Sequence, residues 1–277
     1  MRVAWIGLGN MGLPMAANVL GAGHELAVFD VRADAVAELA GPGVRTATSA
    51  ADAARDAEVV DVVVLDGPQV EAATTGPDGV FAGAAPGAVI AVHSTVLPST
   101  VDAVATAAPA GVTVLDAPVS GGVRGARAGT LCVMVGGPRD AFDQARPVLD
   151  AVGDLVLHLG DRGAGLAAKL ARNLIGYVSM LGAQEGRALA NAAGTDPAAF
   201  AAILEHTGAL SPMMRDLLAE PGGDAVYAEL VPLIELAAKD LRATVEYAAE
   251  LGVDVPATAL TLTRVGFSLG GEDWQDR

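Results

Sequence analysis

The run Gly163-Ala164-Gly165-Leu166-Ala167-Ala168-Lys169-Leu170-Ala171-Arg172-Asn173 reads as buried helix into which an ammonium group and a carboxamide have been set. Lys169 and Asn173 are four apart, so on a helix they share a face and can touch one ligand. A lysine in such a place has two destinies. Its stem can pack while the ammonium snorkels to water, or the amine can be desolvated, which lowers its pKa and makes it a proton-transfer group. A base working near neutrality must lie about three below the ordinary value of about 10.4, a cost of about 4 kcal/mol. An amine so tuned can take the hydroxyl proton of an alcohol as hydride leaves the same carbon, or return it when a carbonyl is reduced. Asn173 would hold the reacting oxygen or orient the amine. The residues alone leave both destinies open.

Gly7-Leu8-Gly9-Asn10-Met11-Gly12 has the form GxGxxG, and a β-rich run precedes it while an Ala-rich stretch from Met11 to about Ala22 follows. A second β-rich run ends in Asp30, about twenty residues after the first glycine, as a dinucleotide-binding turn requires. Gly7 permits the tight turn, Gly9 lets a pyrophosphate approach the backbone, and Gly12 lets helix and strand pack closely. The helix N-terminus adds N–H groups and a partial positive charge for the phosphates. Asp30 can accept both ribose hydroxyls of NAD and repels the 2′-phosphate of NADP, so NAD is the expected cofactor. Arg32 could reach a phosphate, and it also fits as a solvated, salt-bridging arginine.

Asp116-Ala117-Pro118-Val119-Ser120-Gly121-Gly122 ends a strand and opens a glycine-rich loop. The Ser120 hydroxyl followed by the unhindered N–H groups of Gly121 and Gly122 makes a small anion nest suited to a carboxylate. A β-bulge or an ordinary turn explains the same string equally well.

The elements that must carry these groups follow from the pattern. Up to residue 160, short β-rich runs alternate with Ala-rich helical stretches. The predicted strands are Arg2–Gly7, Glu25–Asp30, Val59–Leu65, Ala88–His93, Val112–Asp116, Leu131–Val135 and Leu155–Leu159. Several are continuous apolar runs, as strands covered on both faces should be, which predicts a mostly parallel sheet in a doubly wound α/β domain. Asp161–Gly165 is a short joint, nothing breaks a helical reading strongly from there to Ala193, and the rest is nearly all helix. Asp196-Pro197 looks like a cap with a first-turn proline, and Pro212, Pro232 and Pro256 are expected to punctuate later segments. The expected domains are residues 1–160 and 161–277.

Composition narrows the partners. The chain has 277 residues, 52% hydrophobic and 18% charged, which excludes disorder. Its longest uncharged apolar helical stretch, Leu174–Ala183, is half of the roughly 20 residues needed to span a bilayer. With 33 acidic against 17 basic residues, the net charge of −16 opposes nucleic acid and anionic membranes, so an anionic ligand needs a local site. The single cysteine, Cys132, excludes an internal disulfide framework and fits a reducing compartment, and the first 22 residues read better as the glycine-rich turn than as a secretory signal. A cytoplasmic location is expected. His24, His93, His158, His206 and Cys132 show no paired ligand spacing, so no metal is expected.

The stretches GLGNMGLPMAANVL, DAPVSGG, GTLCVMVGG, GAGLAAKLARN and LAAKDL, in this order and at these separations, resemble the β-hydroxyacid dehydrogenase family typified by 3-hydroxyisobutyrate dehydrogenase. Tartronate semialdehyde reductases and, more distantly, 6-phosphogluconate dehydrogenase belong to the same group. The resemblance runs over nearly the whole chain, to its GEDWQD ending. It implies an α/β Rossmann-like N-terminal domain, a long interdomain helix, an all-α C-terminal domain, and homodimers or homotetramers formed through the helices. It makes Lys169 and Asn173 catalytic, Ser120, Gly121 and Gly122 the substrate-carboxylate site, Thr95 a cofactor contact after His93-Ser94, and Lys239 a residue that closes over the dinucleotide. By residues alone, Lys239-Asp240 would be an ordinary charged pair on a surface helix. Leu65-Asp66 stands where family members usually have Leu-Pro beside the cofactor, in a loop one residue shorter here. The function expected is hydride transfer between NAD and a small 3-hydroxy acid or semialdehyde. The alternatives are an NADP-dependent semialdehyde or glyoxylate reductase, an imine reductase on the same scaffold, and a non-catalytic dinucleotide-binding protein. Imine-reducing relatives typically replace the lysine, and retention of Lys169, Asn173 and Ser120 weighs against lost chemistry. A Ser120 hydrolase is disfavoured because Ser120 sits in PVSGG, not in a GxSxG elbow.

Overall fold

In the computed structural model of the protein the described residues are 1–209 and 224–268. Pro212 and the GEDWQD ending lie outside them. By their internal contacts the residues fall into two compact units, the first Met1–Lys169 and the second beginning at Leu170.

The first unit is built on nine strands: β1 (Arg2–Ile6), β2 (Glu25–Phe29), β3 (Val44–Thr46), β4 (Val59–Val62), β5 (Val89–Val92), β6 (Thr113–Asp116), β7 (Val119–Ser120), β8 (Cys132–Gly136) and β9 (Leu155–Gly160). They hydrogen-bond in the order β3-β2-β1-β4-β5-β6-β8-β7, and β9 pairs with β8. β1 to β6 are all parallel, in the 3-2-1-4-5-6 arrangement of a doubly wound sheet, whose ligand crevice lies where the order reverses beside β1 and β4. β8 runs antiparallel to β6 and β7 and parallel to β9. The seven predicted strands are present. β3 and β7 are additional, and each is too short to show a periodicity of its own.

Alternation along the central strands sends side chains to two separate layers. Trp5, Val59, Ala91 and Leu115 face one layer, where Met15 and Val19 of α1 (Gly12–Gly21) and Phe142 and Leu149 of α7 (Arg139–Val152) pack. Ile6, Val60, Val62, Ile90 and Val92 face the other, filled by α3 (Ala50–Ala54), α4 (Gly67–Thr75) and α5 (Pro98–Thr106). The remaining helices of this unit are α2 (Ala33–Leu39) and α6 (Gly122–Ala128). An α/β unit with helices on both faces of a largely parallel sheet is the predicted class.

The helix α8 (Ala164–Ala192) starts in the first unit and continues into the second, which is helical throughout its described residues. Asp196 caps the helix Pro197–His206, its carboxylate accepting the Ala199 N–H at 2.9 Å with proline in the first turn, as its sequence predicts. Pro256 likewise opens the helix Pro256–Thr263. Pro232 departs from expectation: it lies inside the helix Asp224–Glu250 and breaks nothing. Proline's fixed φ suits a helix and forfeits one backbone hydrogen bond, which a helix of 27 residues absorbs. The apolar core of this unit is small, centred on Tyr177, Met180, Ala237 and Leu241.

Candidate active site

The glycine-rich turn links β1 to α1, and its three glycines differ in what surrounds them. Gly7 has φ +98°, and a side chain there would run into the Val63 carbonyl. A side chain at Gly12 would strike the Gly7 carbonyl, so the start of α1 can approach β1 only without one. Gly9 faces open space, with nothing within 4 Å of where a Cβ would stand. Two glycines thus close the turn, and the third leaves room at a helix N-terminus. This cradle fits the pyrophosphate of a dinucleotide.

Asp30 follows β2 and is tied to that turn. Its Oδ2 accepts the Leu8 N–H at 2.7 Å and its Oδ1 accepts the Arg32 N–H at 2.8 Å. Arg32 lies against it, with Nε 3.6 Å from Asp30 Oδ1 and Nη2 donating to the Leu8 carbonyl at 3.4 Å. Its side chain is 56% exposed, whereas that of Asp30 is 9% exposed. Asn10 is exposed at the turn, and Met11 is half-buried against the apolar layer of α1 and α7. Asp66 is the N-cap of α4, accepting the Gln69 N–H at 3.0 Å, while the Leu65 N–H donates to Gln69 Oε1 at 3.0 Å. The loop at Leu65-Asp66 is therefore a capped helix start, and the Leu65 side chain is exposed.

Beyond β5, Ser94 stitches the strand end to β4: its hydroxyl donates to the Val64 carbonyl at 2.7 Å and accepts the Val64 N–H at 3.1 Å. Thr95 follows, half-buried. Beyond β6 the chain turns through Ala117-Pro118 into β7, where Ser120 pairs with Cys132 of β8. Gly121 and Gly122 have φ of +138° and +63°, a left-handed pair that L side chains resist, and both are exposed. Ser120 is thus a strand residue followed by two exposed glycines.

Asp116, at the end of β6, is fully buried and connects this loop to α8. Its Oδ1 accepts the Gly163 N–H at 2.7 Å and its Oδ2 the Leu166 N–H at 2.8 Å, satisfying two of the orphan donors at the helix start. A side chain at Gly136 or Gly165 would intrude on this carboxylate. Burial pushes the Asp116 carboxyl up from its ordinary range, and the two amide bonds pull it back.

On α8, Lys169 and Asn173 are both buried, at 8% and 3% exposure. Asn173 Nδ2 donates to Asp240 Oδ2 at 2.8 Å, and Asn173 Oδ1 accepts from Arg172 Nη1 at 3.2 Å. Tyr177, one turn further on, donates to the same Asp240 oxygen at 3.4 Å. Burial, with the Asp240 charge second, pushes that phenol above its ordinary value. Lys239 Nζ lies 2.8 Å from Asp240 Oδ1. The Lys239-Asp240 pair is therefore half interior: Asp240 is buried and holds Asn173, while Lys239 is partly exposed. Only Lys169 and Lys239 are lysines among the 17 basic residues of the chain. Arginine supplies every other basic position.

Residues 2–160 match the family model of the NAD-binding domain of 6-phosphogluconate dehydrogenase, and residues 163–272 match the NAD-binding model of NADP-dependent 3-hydroxyisobutyrate dehydrogenase. The 3-hydroxyisobutyrate dehydrogenase of Pseudomonas aeruginosa is 46% identical over 206 residues, covering 74% of this chain and 69% of that protein. The chain belongs to the β-hydroxyacid dehydrogenase family. The NAD-dependent L-serine dehydrogenase of Pseudomonas aeruginosa is 42% identical, over 74% of this chain and 70% of its own. The solved structure of Mycobacterium tuberculosis 3-hydroxyisobutyrate dehydrogenase with L-serine superposes with a TM-score of 0.83 at 32% identity, over 95% of this chain and 92% of that one. As a β-hydroxyacid dehydrogenase, the protein is an NAD(P)-dependent oxidoreductase of hydroxy acids, with a Rossmann N-terminal domain and a helical C-terminal one.

Sequence reasoning about this dehydrogenase missed what holds the site residues. In the sequence Asp116 shows only as the end of a strand and Asp240 only as a neighbour of Lys239. Each works through a partner far away in the chain, 47 and 50 residues for Asp116 and 67 for Asp240. The one local signal was an acidic residue beside a motif on an otherwise apolar segment.

Proposed function

We propose that the enzyme interconverts a small 3-hydroxy acid and its semialdehyde with NAD, Lys169 carrying the proton. The observation that supports this most is the buried Lys169 one helical turn from Asn173, whose amide is pinned by Asp240. When bound, an oxidised nicotinamide would supply the acceptor for the hydride that leaves the carbinol carbon in oxidation. Lys169 takes the hydroxyl proton, and the carbon–oxygen single bond becomes the aldehyde double bond. Reduction reverses both transfers. Asn173, its carboxamide fixed from behind, orients the amine or the reacting oxygen. Ser120 with the amides of Gly121 and Gly122 holds the carboxylate at the other end. The acids in the names of the two Pseudomonas relatives share a carboxylate and a hydroxymethyl group on one central carbon, and that unit is the substrate class proposed here.

Gly7 to Gly12, with Thr95 and Lys239, are the proposed cofactor contacts, and Asp30 is the basis for NAD over NADP. Arg32, exposed beside Asp30, would serve a 2′-phosphate if NADP were used, which keeps that reading as the second one. The helical unit exposes Ile175, Leu189, Ile203, Leu251 and Leu260, a load of apolar surface that supports assembly of copies through this part.

Initial rates with a panel of 3-hydroxy acids and short semialdehydes, followed at the reduced-nicotinamide absorbance band, test the reading. Turnover of the free acids with little or none of their methyl esters is expected. Equal turnover of acid and ester would overturn the carboxylate assignment.

A further inference from the structure

A carboxylate and an imidazole lie inside the sheet, in a layer that is otherwise apolar. Asp61 is in the middle of β4 and His93 directly follows β5, and both side chains are essentially inaccessible. The register places Asp61 beside Trp5 of β1 and Ala91 of β5, so alternation puts His93, two residues past Ala91, on the same face. His93 Nε2 is 2.8 Å from Asp61 Oδ1, and the ring stacks on Trp5 with centroids 5.9 Å apart and planes 18° from parallel. Its Nδ1 lies 2.7 Å from the Ala117 carbonyl oxygen.

A carbonyl can only accept, so Nδ1 carries a proton. The remaining proton of the pair sits between Nε2 and Oδ1. On the nitrogen it gives imidazolium and carboxylate, and on the oxygen neutral imidazole and carboxylic acid. Either way the pair is neutral as a unit, which is what an apolar layer tolerates. Burial alone pushes the Asp61 carboxyl up, and the His93 hydrogen bond opposes this. Asp61 thereby fixes both the ring plane and the direction in which Nδ1–H points.

An apolar pair would fill this space without buried ionisable groups, a replacement that is often neutral or stabilising, and its one polar cost would be the Ala117 carbonyl left without the His93 hydrogen bond. Stability therefore does not account for the pair, and what Nδ1 holds is the informative point. Ala117 is where the chain leaves the parallel sheet. Its N–H still donates to the Val92 carbonyl at 2.8 Å, the last rung on that edge, and its carbonyl is taken by the His93 ring. Pro118 has no N–H, and its carbonyl accepts the Met134 N–H at 3.0 Å. Ser120 comes two residues later. The same histidine begins the His93-Ser94-Thr95 segment, so one ring ties the strand end leading to Thr95 to the strand end leading to Ser120.

The geometry points to Asp61 and His93 as positioning residues for the substrate-carboxylate loop: His93, oriented by Asp61, grips the Ala117 carbonyl and sets the path of Pro118 to Gly122. The assignment rests on the proposed role of Ser120, Gly121 and Gly122. Neither side chain touches substrate; they act through the loop's backbone.

The test compares the double variant Asp61→Leu/His93→Phe, the single variants His93→Gln and Asp61→Asn, and Ser120→Ala, by KM for the hydroxy acid, kcat, NAD dissociation constant and melting temperature. The apolar double keeps the packing and the stack on Trp5 but releases the Ala117 carbonyl. It should melt within a few degrees of the parent, the freed Ala117 carbonyl offsetting what removal of the buried pair gains, and bind NAD equally, while KM for the acid rises on the order of 10- to 100-fold, the usual cost of a small misplacement in a site. His93→Gln, which can still reach Asp61 but not the carbonyl, should shift KM the same way and covers the case of a poorly folding double. Asp61→Asn should restore most of the parent KM, because its amide can donate to Nε2 and leave Nδ1–H on Ala117. An unchanged KM in a folded double, or a loss shared equally by NAD binding and melting temperature, overturns the assignment. If Ser120→Ala raises KM while the pair variants do not, only the positioning role fails. If Ser120→Ala leaves KM unchanged, the carboxylate reading fails and the positioning role falls with it.

Discussion

Replacing Asp116 by asparagine keeps the size of the side chain and removes half of its capacity at the start of α8. The parent carboxylate accepts two N–H groups, those of Gly163 and Leu166, from a fully buried position. An amide accepts with one oxygen only, and its NH2 would face the second N–H. One buried donor left unsatisfied costs about 1–3 kcal/mol. Loss of negative charge at a helix N-terminus adds about 0.3–1 kcal/mol. The neutral amide is cheaper to bury, which offsets part of this, so a net loss of about 2 kcal/mol is expected. In a protein of this size that lowers the melting temperature by roughly 4–8 °C. Thermal unfolding followed by circular dichroism reads the shift directly. Because Lys169 lies within one turn of Leu166 on the same helix, kcat should also fall by roughly tenfold or more. A variant melting within about 1 °C of the parent, with parental kcat, would refute the claim that Asp116 anchors the helix that carries Lys169.

Three further outcomes follow from the same site. The parent should prefer NAD over NADP in kcat/KM, and Asp30→Ser should narrow the ratio by at least about tenfold, since Asp30 supplies the negative charge that repels a 2′-phosphate; a parent that prefers NADP would transfer the role to Arg32. Asp240→Asn should lower kcat by roughly tenfold with little change in NAD affinity, because its amide cannot accept from Asn173 and pair with Lys239 together; unchanged kcat would show that Asn173 needs no hold from behind. Light scattering should report a dimer or tetramer, and a monomer across a wide concentration range would leave the exposed Ile175, Leu189 and Leu260 without a reason.

Local rules made the frame readable. The glycine spacing between β1 and α1 carries its own steric logic: a side chain at Gly7 or Gly12 would strike backbone, while Gly9 faces open space. Continuous apolar runs marked the parallel strands because both faces of the sheet are covered. What escaped was set by distance or by brevity. β3 has three residues, two of them exposed, and β7 has two, directly after Pro118, so neither carries a pattern. Pro232 reads as a breaker in sequence, yet its helix is long enough to carry it. His93 shows no paired ligand spacing in the sequence, and its partners, Asp61 in β4 and Ala117 just past β6, lie 32 and 24 residues away. Asp116 and Asp240 likewise show their work only once the fold has brought amides and carboxamides to them.

Lys169→Ala is the most direct test of the chemistry. Measured at saturating NAD and hydroxy acid, with the melting temperature and NAD dissociation constant determined on the same preparation, kcat should drop by on the order of 10² to 10⁴ while both controls stay near parental values, the scale of a lost general acid–base group. A folded, NAD-binding Lys169→Ala protein that turns over at close to the parent rate would contradict the assignment and leave the lysine as a snorkelling structural residue.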